Sequence, residues 1–264
     1  MAGETVVLLH SSGATPRQWS ALAERIPARL RMNVAAPALV GHGSEKPWGA
    51  GVAPSLDGEV DRLCARVPHA FGVHLVGHSY GGAVAIKAAL SGRLDVRSLT
   101  VYEPSLFAML DRPYADHESP VSAGREITRL LAGGRADDSA RLYVDYWTSA
   151  GEFDRMPAER RERIVERMPA VVACFQALFD DDSRVADLPQ LEMPCLVMKG
   201  ARSPQPSQDL CEMVAGSMPL ARLHHFDNLN HMGPLADPGA VNAVIEDFLW
   251  DVATARRPRT QRAA

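Results

Sequence analysis

Seven residues, Val76-Gly77-His78-Ser79-Tyr80-Gly81-Gly82, constrain this chain more than any other stretch. They follow the apolar run Val73-His74-Leu75-Val76 and precede a second apolar run, Ala83 through Leu90, whose length and small side chains suit a helix over 81–91. A strand must therefore give way to a helix almost at once. That is feasible only if the backbones approach closely, and glycine two residues before and two after Ser79 supplies the room. Such a turn aims the serine hydroxyl out of the sheet, beside the backbone N–H groups and positive dipole end of the following helix.

The rest of the chain repeats this alternation. Short apolar runs that read as strands recur from residues 5, 32, 73, 96, 195 and 221. Amphipathic helix-length stretches lie between and after them, at 17–30, 56–69, 81–91, 207–217 and 238–252. The expectation is an α/β fold with a mostly parallel sheet of about six strands flanked by helices, and ligand chemistry at the carboxyl ends of the strands. One stretch breaks the rhythm. Residues 105–191 hold no convincing strand but several helical segments, with Tyr143, Tyr146, Trp147, Phe153, Phe175 and Phe179 along them. They read as a helical cap inserted into a core of 1–104 and 192–254, with some of these aromatics facing a cavity and the others holding the cap together. Residues 255–264 are arginine-rich without apolar periodicity and read as a flexible tail.

Composition narrows the function classes. The net charge of -4 offers no general attraction to nucleic acid. No apolar run is long enough to span a bilayer, and Met1 leads directly into a strand-like run, so a cytoplasmic protein is expected. Cys64, Cys174, Cys195 and Cys211 are scattered without ligand spacing and read as reduced buried thiols, so no metal site is expected. No organic cofactor is expected either. The only partner expected is a small-molecule substrate, with a homodimer left open.

Three further segments stand in a fixed order around the Gly-x-Ser-x-Gly turn: Leu8-Leu9-His10-Ser11-Ser12-Gly13, then residues 37–47 with Gly41-His42-Gly43-Ser44, and finally Leu229-Asn230-His231-Met232-Gly233-Pro234. Together they resemble the α/β-hydrolase-fold serine hydrolases of the compact, capped type, which include esterases, lactonases and carbon–carbon bond hydrolases. The resemblance covers nearly the whole chain. It implies Ser79 as nucleophile, His231 as general base, and an oxyanion hole from the backbone N–H groups of Tyr80 and Ser12, with Ser11 competing for the second position. Residues near these, His10, Ser11, Tyr143, Trp147 and Met232, are candidates for contact with substrate. The histidines of the strand ends and loops, His10 included with His42, His78, His224 and His225, read as structural groups near the site, with contact to substrate as the alternative.

The chain also departs from the family pattern. It begins at what resembles the family's third strand, so the usual opening strands are expected to be missing. Ala38 stands where the loop usually carries an acidic residue that stabilises it. Ser203 stands where the family usually carries the triad acid, and a hydroxyl cannot hold that charge. Glu103, closing the strand Val101-Tyr102 ahead of Pro104, occupies a second position known in this fold for the acid. Asp209 and Asp227 compete with it. The order Ser79, Glu103, His231 then agrees with that of the fold, and hydrolysis of a small carboxylic ester, lactone or thioester through an acyl-enzyme is the expected activity. Two alternatives stay open: a carbon–carbon hydrolase or other cofactor-free enzyme on the same triad, and a non-catalytic ligand-binding homologue.

Overall fold

In the computed structural model, residues 3–67, 72–110 and 113–255 are described. Six strands form one wholly parallel sheet: β1 (Thr5–Leu9), β2 (Asn33–Ala35), β3 (Val73–His78), β4 (Val96–Tyr102), β5 (Cys195–Gly200) and β6 (Ala221–Phe226), in the spatial order β2-β1-β3-β4-β5-β6. The helices before the long break are α1 (Ser20–Leu30), α2 (Leu56–Arg66) and α3 (Tyr80–Leu90). Between β4 and β5 come α4 (Pro120–Ala132), α5 (Ala136–Trp147), α6 (Glu152–Arg155) and α7 (Ala158–Phe179), and after β5 come α8 (Gln205–Ser217), α9 (Gly233–Ala236) and α10 (Pro238–Ala255). The expected α/β class with six strands and flanking helices is therefore what the chain adopts.

Because parallel strands need crossovers that bury both faces of the sheet, β1, β3 and β5 are apolar almost throughout and fully buried. One face packs through Leu63, Ile86 and Leu210 against α2, α3 and α8; the other packs through Leu22, Ile26, Ile245 and Leu249 against α1 and α10. The inserted helices have a small core of their own, including Ile127, Trp147, Phe153, Met168 and Phe175. The margins of the 105–191 stretch, by contrast, feed the core of the sheet: Leu106, Met109, Leu188 and Leu191 join the α2–α3–α8 side. Among the described residues no helix is long and apolar enough to cross a membrane.

Several boundaries differ from expectation for local reasons. The second strand ends at Ala35, shortly before Pro37, which has no N–H to continue the ladder. The first helix is split, with a 3-10 turn at Pro16–Trp19 and α1 proper from Ser20. The helix expected from 207 begins at Gln205 because Pro206 is tolerated in a first turn. Cys64 is only half-buried, so the description as buried thiols holds for Cys174, Cys195 and Cys211 alone. Residue 69, at the end of the second expected helix, and nearly all of the expected tail lie outside the described residues.

The glycines of the β3–α3 turn allow a close approach of backbone to backbone. A Cβ on Gly81 would stand 2.4 Å from the carbonyl oxygens of Leu9 and His10, and one on Gly77 would stand 2.3 Å from that of Gly81. These neighbours are backbone and cannot swing aside. Gly81→Ala is expected to cost about 3 kcal/mol or more of stability. Gly216→Ala, in α8 with no atom within 4 Å of the added methyl, is expected to raise stability by roughly 0.5–1 kcal/mol. Denaturant midpoints of the two variants check both signs.

Candidate active site

Parallel pairing decides which residues meet at the carboxyl edge of the sheet. His78 of β3 is in register with Tyr102 of β4, so Ser79 and Glu103 leave neighbouring strands at the same level. The Ser79 N–H donates to Tyr102 O at 3.0 Å, and the Glu103 N–H donates to Met198 O at 3.0 Å. Both residues have positive φ, 54° for Ser79 and 43° for Glu103, a region unfavourable for side chains beyond glycine. The loop after β6 brings His231 between them. It is pinned by Tyr102, whose hydroxyl donates to Asn230 O at 2.8 Å, and by His78, whose Nε2 lies 2.8 Å from His231 O.

The three side chains form a continuous relay. His231 Nδ1 lies 2.8 Å from Glu103 Oε2, and His231 Nε2 lies 2.9 Å from Ser79 Oγ. A carboxylate only accepts, so it holds the imidazole proton on Nδ1 and leaves Nε2 free to accept from the serine hydroxyl. The other oxygen of Glu103 accepts from the Gly200 N–H at 2.8 Å and from the Ser203 hydroxyl at 2.5 Å. Ser203, where an acid was missed, thus serves as a donor to the acid that is present. Asp209 instead accepts from Tyr114 and Gln205, and Asp227 is exposed.

The loop after β1 faces the same point. The Ser11 N–H and hydroxyl are both 3.1 Å from Gln18 Oε1, whereas the amides of Ser12 and Tyr80 have no protein acceptor among the described residues. Of the two competing serines, the free donor is therefore that of Ser12. His10 does not face the cavity, contrary to its expected contact with substrate. It is fully buried, its Nδ1–H donates to Ser11 O and its Nε2 accepts from Leu39 N–H, and burial lowers its pKa to about 3. His42 acts similarly on the next loop: its Nε2 accepts from Gly13 N–H at 3.0 Å while its Nδ1–H donates to Val40 O at 2.9 Å. Both rings are neutral braces between loops.

Two groups from the inserted helices close over the site. Tyr143 donates to Ser12 O at 2.8 Å and accepts from the Ser12 hydroxyl at 3.0 Å. The Trp147 ring stacks on His231 with centroids 4.1 Å apart. Outside them opens a cavity of about 940 Å³, lined by Ser11, Ser12, Tyr143, Trp147 and Met232 among others. Of the expected cavity-facing aromatics, Tyr143 and Trp147 line it, while Phe153 is buried in the helical core. A smaller cavity of about 300 Å³, at Asp57, Lys87 and Ser91, lies at the opposite end of α3 from Ser79.

Some participants left no recognisable trace in the sequence. Ser105 places its hydroxyl 3.0 Å from Ser79 Oγ, and Gln18 links Ser11 to His78 through a 3.1 Å contact with His78 Nδ1. Glu59, buried on α2, accepts from the Val40 N–H at 3.2 Å and from the Tyr80 hydroxyl at 3.3 Å, and Arg66 donates to Ala38 O at 3.0 Å. These contacts hold the loop whose usual acid is replaced by Ala38.

Burial raises the Glu59 pKa from 4.5 to about 7. The unfolded chain releases this proton first, so the stability it contributes is fully present below pH 4.5 and is lost as pH rises to about 7. Glu59→Gln cannot ionise. Between pH 4.5 and 8 the wild type is expected to lose roughly 3 kcal/mol more than the variant, measured as denaturant midpoints at each pH.

A sequence profile of the alpha/beta hydrolase family matches residues 6–244. Pimeloyl-[acyl-carrier protein] methyl ester esterase of Aromatoleum aromaticum is 30% identical over 259 residues, spanning 92% of this chain and 97% of that protein. N-formylmaleamate deformylase of Pseudomonas putida is 29% identical over 204 residues, spanning 74% of this chain and 72% of that one. Among solved structures, the enol-lactonase from Burkholderia xenovorans superposes with a TM-score of 0.75 at 17% identity, covering 94% of this chain and 91% of that one. A thermophilic esterase from Thermogutta terrifontis superposes with a TM-score of 0.74 at 22% identity, covering 96% and 91%.

Proposed function

The chain belongs to the alpha/beta hydrolase family and is a hydrolase, and from that premise we propose that it cleaves a small carboxylic ester through an acyl-enzyme on Ser79. The observation that carries this reading is the unbroken relay from Ser79 Oγ through His231 to Glu103, at 2.9 and 2.8 Å.

In the proposed reaction Ser79 Oγ attacks the ester carbonyl carbon while His231 Nε2 takes its proton. The resulting imidazolium is balanced by the Glu103 carboxylate, whose other oxygen is held by the Gly200 N–H and the Ser203 hydroxyl. The backbone N–H groups of Ser12 and Tyr80 receive the negative charge that develops on the carbonyl oxygen, an interaction worth about 3 kcal/mol per donor. Collapse breaks the bond to the alkoxide, which leaves with the proton from His231. Water, deprotonated by the same imidazole, then attacks the acyl-enzyme and releases the acid. The Trp147 ring stacked on His231 and the Tyr143 hydroxyl bonded to Ser12 O set the inserted helices against the reacting groups, so these helices act as a cap.

A second reading has its own support. The 29% identity to a deformylase favours an amide or formamide bond as the one cleaved, with the same residues in the same roles. A binding protein without turnover is disfavoured because the relay is complete.

A fluorophosphonate probe tests the reading directly. Labelling that maps to Ser79, together with turnover of a short-to-medium series of p-nitrophenyl esters, is expected. Labelling without turnover of any ester, but with release of formate from an N-formyl amide, moves the assignment to the second reading. Absence of labelling removes both.

A further inference from the structure

We infer that the outer half of the cavity is an anion-binding subsite, so that the substrate carries a carboxylate or phosphate on the part of the molecule farthest from the bond being cleaved. This deepens the esterase reading and rests on it. Four arginines line the cavity: Arg17 from the turn before α1, and Arg160, Arg163 and Arg167 from α7. The α7 residues are spaced by three and four and so share one helix face. Arg167 sits innermost, donating to Gly13 O at 2.9 Å, one residue from the Ser12 amide. From there the row runs outward, with Arg163 about 6 Å and Arg160 about 10 Å further along the helix axis.

An exposed row of arginines is ordinarily a solvated face matched by its own carboxylates, and the neighbouring arginines show that pattern. Arg129 pairs with Glu126, Arg135 with Asp138, Arg155 with Glu152, and Arg141 with Asp154. The cavity row differs. Among the described residues only Arg163 of the four has a carboxylate partner, the exposed Glu159 at 3.3 Å, and the one carboxylate in the lining, Glu152, is already taken by Arg155. Positive charge is thus left over at one mouth of a chain whose net charge is -4. Arginines converging from two elements on a concave site focus potential there, and the guanidinium fork matches the two oxygens of a carboxylate or a pair of phosphate oxygens. Val144, Met156 and Ile164 add apolar surface to the same lining for the intervening chain of the substrate.

The test uses wild type and an Arg160→Gln/Arg163→Gln double variant. Hydrolysis is compared for p-nitrophenyl hexanoate, mono-p-nitrophenyl adipate and the matching ω-phosphorylated hexanoate ester. Binding of adipate and of neutral adipamide is followed by calorimetry. The wild type is expected to prefer an anionic ester by at least about tenfold in kcat/KM, and the variant to lose that preference and bind adipate about tenfold more weakly. Whichever anionic ester is preferred identifies carboxylate or phosphate as the source of the charge. Equal kcat/KM for charged and neutral esters, with no binding of adipate, overturns the subsite and leaves the esterase standing. Arginine-dependent adipate binding without turnover of any ester supports the subsite and overturns the esterase. Neither binding nor turnover overturns both.

Discussion

Replacing Ser79 with alanine is expected to lower kcat for a p-nitrophenyl ester by about a millionfold while the protein stays folded. The size of the effect follows from the site's composition. A second hydroxyl, that of Ser105, lies 3.0 Å from Ser79 Oγ, yet the bond to His231 Nε2 is made by Ser79. Without the base, a serine hydroxyl is a weak nucleophile, so Ser105 cannot substitute. The Ser12 and Tyr80 amides and the cavity survive the change and leave only the background rate that an oxyanion hole and binding sustain. The alanine methyl fits where the Ser79 Cβ already sits, so thermal denaturation should shift little. Steady-state kinetics alongside a melting curve check both parts. Activity within about tenfold of wild type in a clean preparation would remove Ser79 from the reaction.

How much of this was legible in the sequence depends on whether a residue's partner lies nearby in the chain or across the fold. Gly77, Ser79 and Gly81 were legible because the turn they make is local: the glycines are needed within five residues of one another, and the flanking apolar runs declare the strand and the helix. His231 and Glu103 were readable as candidates because each closes or follows a strand, and parallel strands deliver their ends to one edge. Gln18 and Ser105 were not readable, since a glutamine in a 3-10 segment and a serine after Pro104 carry no signature. Their roles come from contacts made across 60 and 26 residues. Two other roles were hidden for the same reason. His10 looked like a substrate contact because it sits beside the loop serines, but its ring turns inward and spends both nitrogens on backbone. Ser203 looked like a lost acid, and only the fold reveals that its hydroxyl reaches the carboxylate of Glu103.

That contact makes the outcome of Glu103→Gln unusually specific. In the wild type, Glu103 Oε1 is claimed by two donors, the Gly200 N–H and the Ser203 hydroxyl, and Oε2 faces His231 Nδ1. A glutamine has one oxygen and one NH2 group. The two donors on the Gly200 side select its oxygen, so the NH2 group must turn toward Nδ1. Nδ1 then becomes an acceptor, the ring proton moves to Nε2, and the nitrogen that should take the Ser79 proton is already protonated. Charge balance for the imidazolium is lost with the carboxylate. We expect kcat to fall by about ten-thousandfold, the size found when a triad acid is made neutral with its geometry intact. Glu103→Gln/Ser203→Ala removes one of the two donors that fix the amide. The glutamine can then rotate to present its oxygen to Nδ1, and part of the lost rate should return even though a stabilising hydrogen bond has been deleted. A merely structural Glu103 would give the opposite order, with the double variant worse than the single. Rates of ester hydrolysis for wild type, the single and the double variant decide between them.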